Sequence, residues 1–340
     1  GKEDDDARAK YGFPVDVVEM DVLQSGNQLS GKVELTRDLR IGILEFAPTA
    51  QTVAAKQLWQ STGLRLRPNK ELEEVKWAEC YECGTFRREP YASEVTQCPV
   101  CQSERKKPGG MPAIKPSFGF YGTMSTTRPG ESRPQRVGYV ASHFSDYANQ
   151  SPDFERVRLG SVEIQVRTSR QGRITVLNRG PRGRGFDLCT KCGFAQLPKE
   201  QNKRTKSRED VKPHKRPGIG ERECKASTSI RYLAHEYLTD TIEIVVPGVG
   251  EDKDAWSLLS ALLASMQHLG ISSQDVSGTV RAHGPGGKGK SLVIFDSVPG
   301  GAGYSRQIRE SLLELFNRAL QVTQRCECGE ETSCYGCLKS

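Results

Sequence analysis

Residues 80–101 read CYECGTFRREPYASEVTQCPVC, and this stretch decides how the rest of the chain is interpreted. Two Cys-x-x-Cys turns, Cys80 to Cys83 and Cys98 to Cys101, flank fourteen residues of strand-like composition. Cysteine pairs at this spacing are typical of a tetrahedral zinc site, to which each turn supplies two thiolates. The stretch therefore predicts a zinc ribbon in which all four cysteines are ligands.

The chain contains eleven cysteines, and seven of them lie outside the ribbon. We expect a cytosolic protein, so metal binding is favoured over a disulfide framework. Cys326, Cys328, Cys334 and Cys337 fall within twelve residues, which is too short a segment to fold without a metal. The alternative is a set of reduced free thiols. The terminal segment therefore predicts a second site with four cysteine ligands.

A third set has only three cysteines: Cys189, Cys192 and Cys224. A structural zinc needs four ligands, and His214 lies between the last two cysteines. His235 competes for the fourth position, although it also fits a hydrogen-bonded core residue. The sequence thus predicts up to three structural Zn²⁺ sites. Each ligand set is closed, which leaves no open position for a catalytic water.

Positive charge is concentrated in one region. Residues 167–225 hold seventeen Lys and Arg against six Asp and Glu, while the whole chain has a formal charge of +7. Such a region suits nucleic-acid phosphates, although a solvated basic loop is the alternative. The residues that we expect to contact phosphate are Arg179, Arg182, Arg184, Lys203, Arg204 and Lys206.

The 340 residues suffice for about two domains, and no apolar run approaches the ~18 residues of a membrane span. No signal peptide is recognisable, so we expect a cytoplasmic protein without membrane contact. The first residues, Gly-Lys-Glu-Asp-Asp-Asp, lack an initiator Met and suggest a processed, tagged or excised piece of something longer.

The pattern of the chain indicates an α+β fold of several small zinc-stabilised modules. We predict a small α+β unit at 1–75, the zinc ribbon at 76–116, a β-rich region with the basic loop and a zinc site at 117–228, and a C-terminal α/β zinc-binding domain at 229–340. Val162–Val166 alternates in polarity, and Gln171-Gly172 is predicted to turn the chain into a hairpin. A helix is predicted from Asp254, with Trp256 on its buried side.

Two glycine-rich segments resemble parts of a nucleotide site. Gly284–Ser291, GPGGKGKS, fits the P-loop pattern, but an apolar strand follows it where a P-loop needs a helix. We interpret it as a loop between two strands. Gly301–Tyr304 does precede a helix and could hold one phosphate on its N–H groups, although the nearby Asp296 opposes this. The alternative there is a tight turn.

The segment FDSVPGGAG at Phe295–Gly303, the helix after it and the terminal cysteines together resemble the C-terminal zinc-binding (MZB) region of MrfA-type DEAD/DEAH helicases. The likeness extends upstream to Tyr11–Val18, Leu35–Ile41, Glu45–Pro48 and Leu233–Asp240. The resemblance implies a zinc-binding region or accessory subunit of a superfamily 2 helicase in DNA repair or antiphage defence.

The implied partners are DNA, single-stranded or at a junction, a helicase motor and other proteins of a defence complex. No DEAD/DEAH box occurs in these residues, so ATP is expected to act only through a motor outside them. We expect no chemistry within this chain. A non-catalytic scaffold, in which the basic segment binds an acidic protein, is the competing hypothesis. A nucleotide-binding protein that uses Gly284–Ser291 is the third.

Overall fold

The computed structural model describes residues 16–23, 35–88, 96–104, 110–125, 130, 137, 140–148, 152–198, 213–218 and 222–324. Within them the chain is mixed α+β and dominated by β-sheet, which confirms the predicted fold class. The separate modules and their limits stay predictions.

The elements are numbered in chain order. The strands are β1 (Val17–Leu23), β2 (Leu35–Asp38), β3 (Gln51–Ala54), β4 (Gln57–Leu64), β5 (Glu73–Glu79), β6 (Phe86–Arg88), β7 (Met111–Lys115), β8 (Phe120–Met124), β9 (Val140–Tyr147), β10 (Glu155–Leu159), β11 (Val162–Asn178), β12 (Phe186–Leu188), β13 (Ala195–Gln196), β14 (His214–Lys215), β15 (Glu223–Cys224), β16 (Ser229–Val245), β17 (Val276–His283) and β18 (Gly289–Asp296). The α-helices are α1 (Leu39–Glu45), α2 (Asp252–Ala264), α3 (Tyr304–Glu310) and α4 (Leu312–Gln324).

A five-stranded sheet has the order β2-β1-β8-β4-β3, in which β1 and β8 run parallel. Helix α1 packs beside it with Leu39 and Ile43 buried, and Asp38 caps this helix by accepting from Arg40 N–H at 2.8 Å. The Asn178 side-chain amide, at the end of β11, donates to the Ile43 carbonyl at 2.7 Å. This bond joins α1 to the second sheet.

The second sheet has eleven strands and is built on two long ones. Strands β11 and β16, of 17 residues each, pair antiparallel along most of their length. Strands β9 and β10 pair with β11, whereas β7, β12 and β18 pair with β16. As a result, the strands of the cysteine-rich segment near residue 80 and the C-terminal β17–β18 hairpin belong to one sheet.

The predicted turn at Gln171-Gly172 is wrong, because β11 runs through it with a bulge between Ser169 and Gly172. A Cβ at Gly172 would lie 2.2 Å from Thr241 Cγ2, so the glycine permits a close approach of β16. A hairpin forms earlier instead, between β10 and β11.

Helices α2 and α3 lie against the second sheet, and α4 packs on α2. The sequence predicts one long helix after Gly303 with Ile308, Leu312, Leu315 and Ala319 facing inward. The structure has two helices there, α3 and α4, and all four side chains are buried. Trp256 was predicted to be buried but is 47% exposed. The buried stripe of α2 contains Ala255 and Leu259, and Trp256 is one position away from it. Among the described helices, none has the length and apolar character that a membrane span requires.

Candidate metal centres and a basic cleft

Three cysteine turns share one pattern of backbone hydrogen bonds. The first cysteine of each turn donates its N–H to the carbonyl five residues later, and its carbonyl accepts from the N–H four residues later. The cysteines with their two partners are Cys80 with Thr85 and Gly84, Cys98 with Ser103 and Gln102, and Cys189 with Phe194 and Gly193. The fourth residue after each cysteine has a positive φ of 72°, 63° and 80° respectively. This repeated turn brings the two cysteines of each Cys-x-x-Cys pair together.

The first cluster consists of the four cysteines of the ribbon segment. Their Sγ atoms all lie within 4.8 Å of one another. The Cys80 and Cys101 sulfurs are 3.5 Å apart, and those of Cys83 and Cys98 are 3.6 Å apart. Cys83 and Cys98 are buried, and the other two are half-buried. The sequence prediction that these four side chains converge is met by this geometry.

The second cluster consists of Cys189, Cys192, His214 and Cys224, whose ligand atoms also lie within 4.8 Å of one another. His214 Nε2 is 3.1 Å from Cys192 Sγ, and the Cys189 and Cys224 sulfurs are 4.0 Å apart. The pairing of β14 with β15 sets His214 opposite Cys224. Phe194 stacks on the His214 ring with centroids 4.6 Å apart. The turn, the short strand pair and the stacked ring thus orient the imidazole.

His235, the competing fourth ligand, lies elsewhere. It is on β16, 1% exposed, with Nδ1 3.6 Å from Asp16 Oδ2 and its ring stacked on Tyr237. Burial lowers the pKa of His235 to about 4, although Asp16 opposes this. The structure therefore brings His214, and not His235, to the three cysteines.

Both clusters fit Zn²⁺. Zinc–sulfur bonds of about 2.3 Å place the sulfurs of a tetrahedral site ~3.8 Å apart, close to the separations in both clusters. Burial raises the pKa of the Cys83 and Cys192 thiols to about 12. A bound cation favours the thiolate form and so offsets the cost of burying it. In both clusters the four side chains would occupy every position of a tetrahedral ion.

Several predicted site residues lie outside the described residues. These are the terminal cysteines Cys326, Cys328, Cys334 and Cys337, and the basic residues Lys203, Arg204 and Lys206. Their roles stay predictions.

The three other basic residues have different environments. Arg179 Nη2 is 2.6 Å from Glu79 Oε2, and its guanidinium lies 4.9 Å from the centre of the Trp77 ring. Arg182 and Arg184 are exposed on the turn that follows β11. Arg179 is therefore held within the protein, and its side chain is only 21% exposed. Arg182 and Arg184 remain on the surface, where a polyanion can reach them.

Two carboxylates of the protein accept hydrogen bonds from the backbone N–H groups of the glycine segment before α3. Asp296 Oδ2 accepts from the N–H groups of Ala302 and Tyr304 at 2.7 and 3.1 Å. Asp240 Oδ2 accepts from Gly303 N–H at 3.1 Å. A carboxylate thus takes the position that a phosphate would need, so the tight-turn interpretation of Gly301–Tyr304 is favoured.

This glycine segment and the helices α3 and α4 that follow it lie in the part of the chain that matches a known protein family. Residues 258–338 match the MrfA Zn-binding domain, MZB. We call them the MZB segment. The match confirms the resemblance that the Phe295–Gly303 motif and the terminal cysteines predicted.

Comparison with whole proteins gives more distant relatives. The Druantia protein DruE of Escherichia coli (strain UMEA 4076-1) is 23% identical over 374 residues, which cover 96% of this chain and 20% of DruE. The chain thus spans about a fifth of the length of this curated relative. Two crystal structures of the DUF1998 helicase MrfA, the first of them bound to DNA, are each 9% identical, with TM-scores of 0.42 and 0.37. They align with 95% of this chain and with 31% and 32% of theirs.

Within the MZB segment, Gly284–Ser291 comprises the loop of the antiparallel β17–β18 hairpin and the first residues of β18. Lys290 pairs with Ala282 in the register of β17 and β18, so no helix follows the Lys-Ser pair. Lys290 Nζ is 2.8 Å from Asp252 Oδ1, and its side chain is 9% exposed. The interpretation of this stretch as a loop between strands is confirmed.

The MZB segment is also tied to β16 by a buried carboxylate that the sequence analysis missed. Glu243 is 1% exposed, and Ser291 donates to it at 2.6 Å. Arg167 lies 2.6 Å and Arg281 3.7 Å from Glu243 Oε2. Burial alone raises the pKa of Glu243, but Arg281 and Arg167 outweigh it and hold the pKa below its usual value. A lone Glu inside the apolar run Thr-Ile-Glu-Ile-Val was the available signal.

A second feature that the sequence analysis missed lies outside the MZB segment. A cleft with a volume of about 840 Å³ separates the turn that follows β4 from the second cysteine cluster. We call it the basic cleft. Its charged lining residues are Arg67, Lys70, Glu71, Glu74, Lys191, Arg216 and Arg231. They come from four separate parts of the chain, so no local motif could indicate the cleft.

Proposed function

We propose that this chain is a zinc-stabilised region of an ATP-dependent DNA helicase, or an accessory subunit of one, that guides nucleic acid and docks onto the motor. The match of residues 258–338 to the MrfA Zn-binding domain carries the proposal. The resemblance to such helicases makes DNA repair or antiphage defence the setting.

The metal ions in this proposal are structural. The ligands are Cys80, Cys83, Cys98 and Cys101 in the first site, Cys189, Cys192, His214 and Cys224 in the second, and Cys326, Cys328, Cys334 and Cys337 in the third. A catalytic zinc keeps one position for water, whereas the two gathered clusters each supply four protein ligands. Zinc would cross-link the separate turns that supply the ligands of each site.

The ATPase motor is placed outside these residues. The one P-loop-like stretch in the described residues lacks the helix that must follow it, and its Lys290 is paired with Asp252. Hydrolysis would therefore occur on a motor attached to this region or bound by it.

Exposed positive charge supports the DNA-guiding role. Arg182 and Arg184 lie on the surface, and the basic cleft presents further cations. Backbone contacts of this kind hold DNA without regard to sequence, which suits a region that accompanies a moving motor.

An exposed apolar groove supports docking to the motor. The groove has a volume of about 480 Å³ between the β10–β11 hairpin and the helices α2 and α4. Leu313 and Leu320 on its α4 side are 52% and 54% exposed. Since the chain spans only a fifth of DruE, the rest of such a protein is the occupant that we propose for it.

The test is binding of the zinc-loaded chain to a fluorescent single-stranded DNA across a salt series, with a duplex of the same sequence as comparator. A log–log slope of about −2 or steeper would mean that three or more phosphates are contacted. No binding at low salt would reject the DNA-guiding role and favour the scaffold hypothesis, in which the basic surface binds an acidic protein.

A further inference from the structure

We infer that the basic cleft holds the phosphodiester backbone of a single DNA strand. This inference rests on the proposed function and deepens it, because it names the surface that the DNA contacts. Four exposed cations on two facing walls carry it: Arg67, Lys70, Lys191 and Arg216.

The first wall is the turn Arg67-Pro68-Asn69-Lys70. Lys70 N–H donates to the Arg67 carbonyl at 3.2 Å, and Asn69 has a φ of 60°. Proline at the second position and a left-handed residue at the third define a type II turn. Such a turn is rigid, so Arg67 and Lys70 are held exposed at the rim of the cleft.

The opposite wall is the second cysteine cluster. Lys191 lies inside its Cys-x-x-Cys turn, and Arg216 follows His214 by two residues. Both side chains are exposed. The proposed metal therefore fixes the backbone from which each of these cations extends.

The two walls are joined by a direct backbone contact. Leu64 N–H donates to the Gly193 carbonyl at 2.7 Å. A Cβ at Gly193 would lie 2.0 Å from the Leu64 carbonyl oxygen, so only glycine permits this approach. Since Leu64 ends β4 just before the Arg67–Lys70 turn, the contact sets the width of the cleft.

The charge of the lining favours an anion. Arg231 is paired with Glu74 at 2.8 Å, so these two neutralise each other. Lys70, Lys191 and Arg216 have no ion-pair partner among the residues that the structure describes, and Glu71 is the only other acidic residue in the described lining. In another cleft, of about 510 Å³, Lys290 is by contrast paired with Asp252.

The size and the remaining lining favour a single strand. About 840 Å³ lies within the ~300–1,000 Å³ of small-ligand sites, which admits an unpaired strand but not a duplex. Leu66, Leu72 and Pro217 add apolar surface beside the cations. Unpaired bases contact such surface, whereas a duplex keeps its bases stacked inside.

The test compares two triple variants in the zinc-loaded chain. Lys70→Ala/Lys191→Ala/Arg216→Ala removes the cleft cations, and Arg158→Ala/Lys288→Ala/Arg318→Ala removes three exposed cations elsewhere. With fluorescent oligothymidine, we expect the cleft variant to lose at least about tenfold in affinity and its salt slope to become shallower by about 2. The control variant should change affinity by less than about twofold. If the triple variant binds less zinc than the unmodified chain, the single variant Lys70→Ala replaces it, because Lys70 is remote in sequence from the metal ligands.

Crosslinking of iodouridine-substituted oligothymidine, followed by peptide mapping, gives a second readout. Crosslinks within residues 64–72 or 189–192 would support the inference. Unchanged binding of the cleft variant would overturn it and leave the proposed function standing, whereas no binding by the unmodified chain would overturn both. An equal loss with duplex DNA, or displacement of the oligonucleotide by stoichiometric ATP, would also overturn the assignment to a single strand.

Discussion

Asp296 Oδ1 accepts hydrogen bonds from both the backbone N–H and the hydroxyl of Ser305, at 3.1 and 2.9 Å. Asp296 is fully buried at the end of β18, and its other oxygen accepts from Ala302 and Tyr304. The order of strand, glycines and helix that a phosphate loop has is therefore present here, and a carboxylate of the chain itself takes the place of the anion. The protein uses the motif to join a strand to a helix.

Removing this carboxylate should destabilise the C-terminal part of the fold. We expect Asp296→Ala to lower the free energy of unfolding by about 3 kcal/mol, because four donors lose a charged acceptor inside the protein. Ser305→Ala removes one donor and should cost about 1 kcal/mol. Urea unfolding of the zinc-loaded chain measures both. The exposed Asp254→Ala serves as control, and an equal loss in Asp254→Ala and Asp296→Ala would refute the capping role.

Metal content should follow the two gathered clusters. Cys80→Ser and His214→Ala should each remove about one zinc per chain, because a tetrahedral site with three protein ligands binds far more weakly. His235→Gln should leave the zinc content unchanged. Metal analysis after dialysis gives the count, and loss of zinc from His235→Gln with retention in His214→Ala would reverse the assignment of the fourth ligand.

Arg179 should behave differently from the two arginines that follow it. Arg179→Ala leaves Glu79 without its partner and exposes Trp77, so we expect a loss of stability of about 2 kcal/mol and little specific effect on DNA affinity. Arg182→Ala/Arg184→Ala should weaken DNA binding without lowering the melting temperature. Melting and DNA titration of the same preparations separate the two effects. A drop in DNA affinity confined to Arg179→Ala would contradict this division.

The sequence allowed the cysteine clusters to be predicted because their ligands obey a local rule. Cys-x-x-Cys spacing and a positive-φ residue at the fourth position are encoded within six residues, so these turns need no knowledge of the distant fold. The choice of His214 over His235 as the fourth ligand of the second cluster did need it. The buried stripe of α3 and α4 was likewise predictable from its 3.6-residue period.

What depended on distant partners was not predictable. Glycine signals turns, which is why the sequence predicts one at Gly172, but here this glycine permits contact with Thr241, 69 positions later in the chain. The apolar pattern of α2 predicts a buried Trp256, but the packing of the helix buries the stripe one position away, through Ala255 and Leu259. The basic cleft required the Arg67–Lys70 turn and Lys191 to meet across β4, which only the sheet topology reveals.

Lys290 should be dispensable for nucleotide chemistry. Its place in β18 and its ion pair with Asp252 leave no cradle for a triphosphate. In the motor-bearing protein, we expect Lys290→Gln to change the ATPase rate less than twofold while lowering stability by about 1 kcal/mol. A rate that falls a hundredfold with zinc content and melting unchanged would restore the P-loop interpretation.

The buried imidazole of His235 should make stability depend on pH. Burial lowers its pKa to about 4, whereas an unfolded histidine titrates near 6.5. Between these values the unfolded chain binds a proton that the folded chain does not, so the stability present above pH 6.5 is lost as the pH falls toward 4. From pH 7 to pH 5, the free energy of unfolding of the unmodified chain should therefore fall by about 1–2 kcal/mol relative to that of His235→Gln. Because both proteins keep the same metal ligands, acid release of zinc cancels in this difference. The exposed His268→Gln is the matched control, and a difference for His235→Gln that stays constant with pH would show that its protonation is not linked to folding.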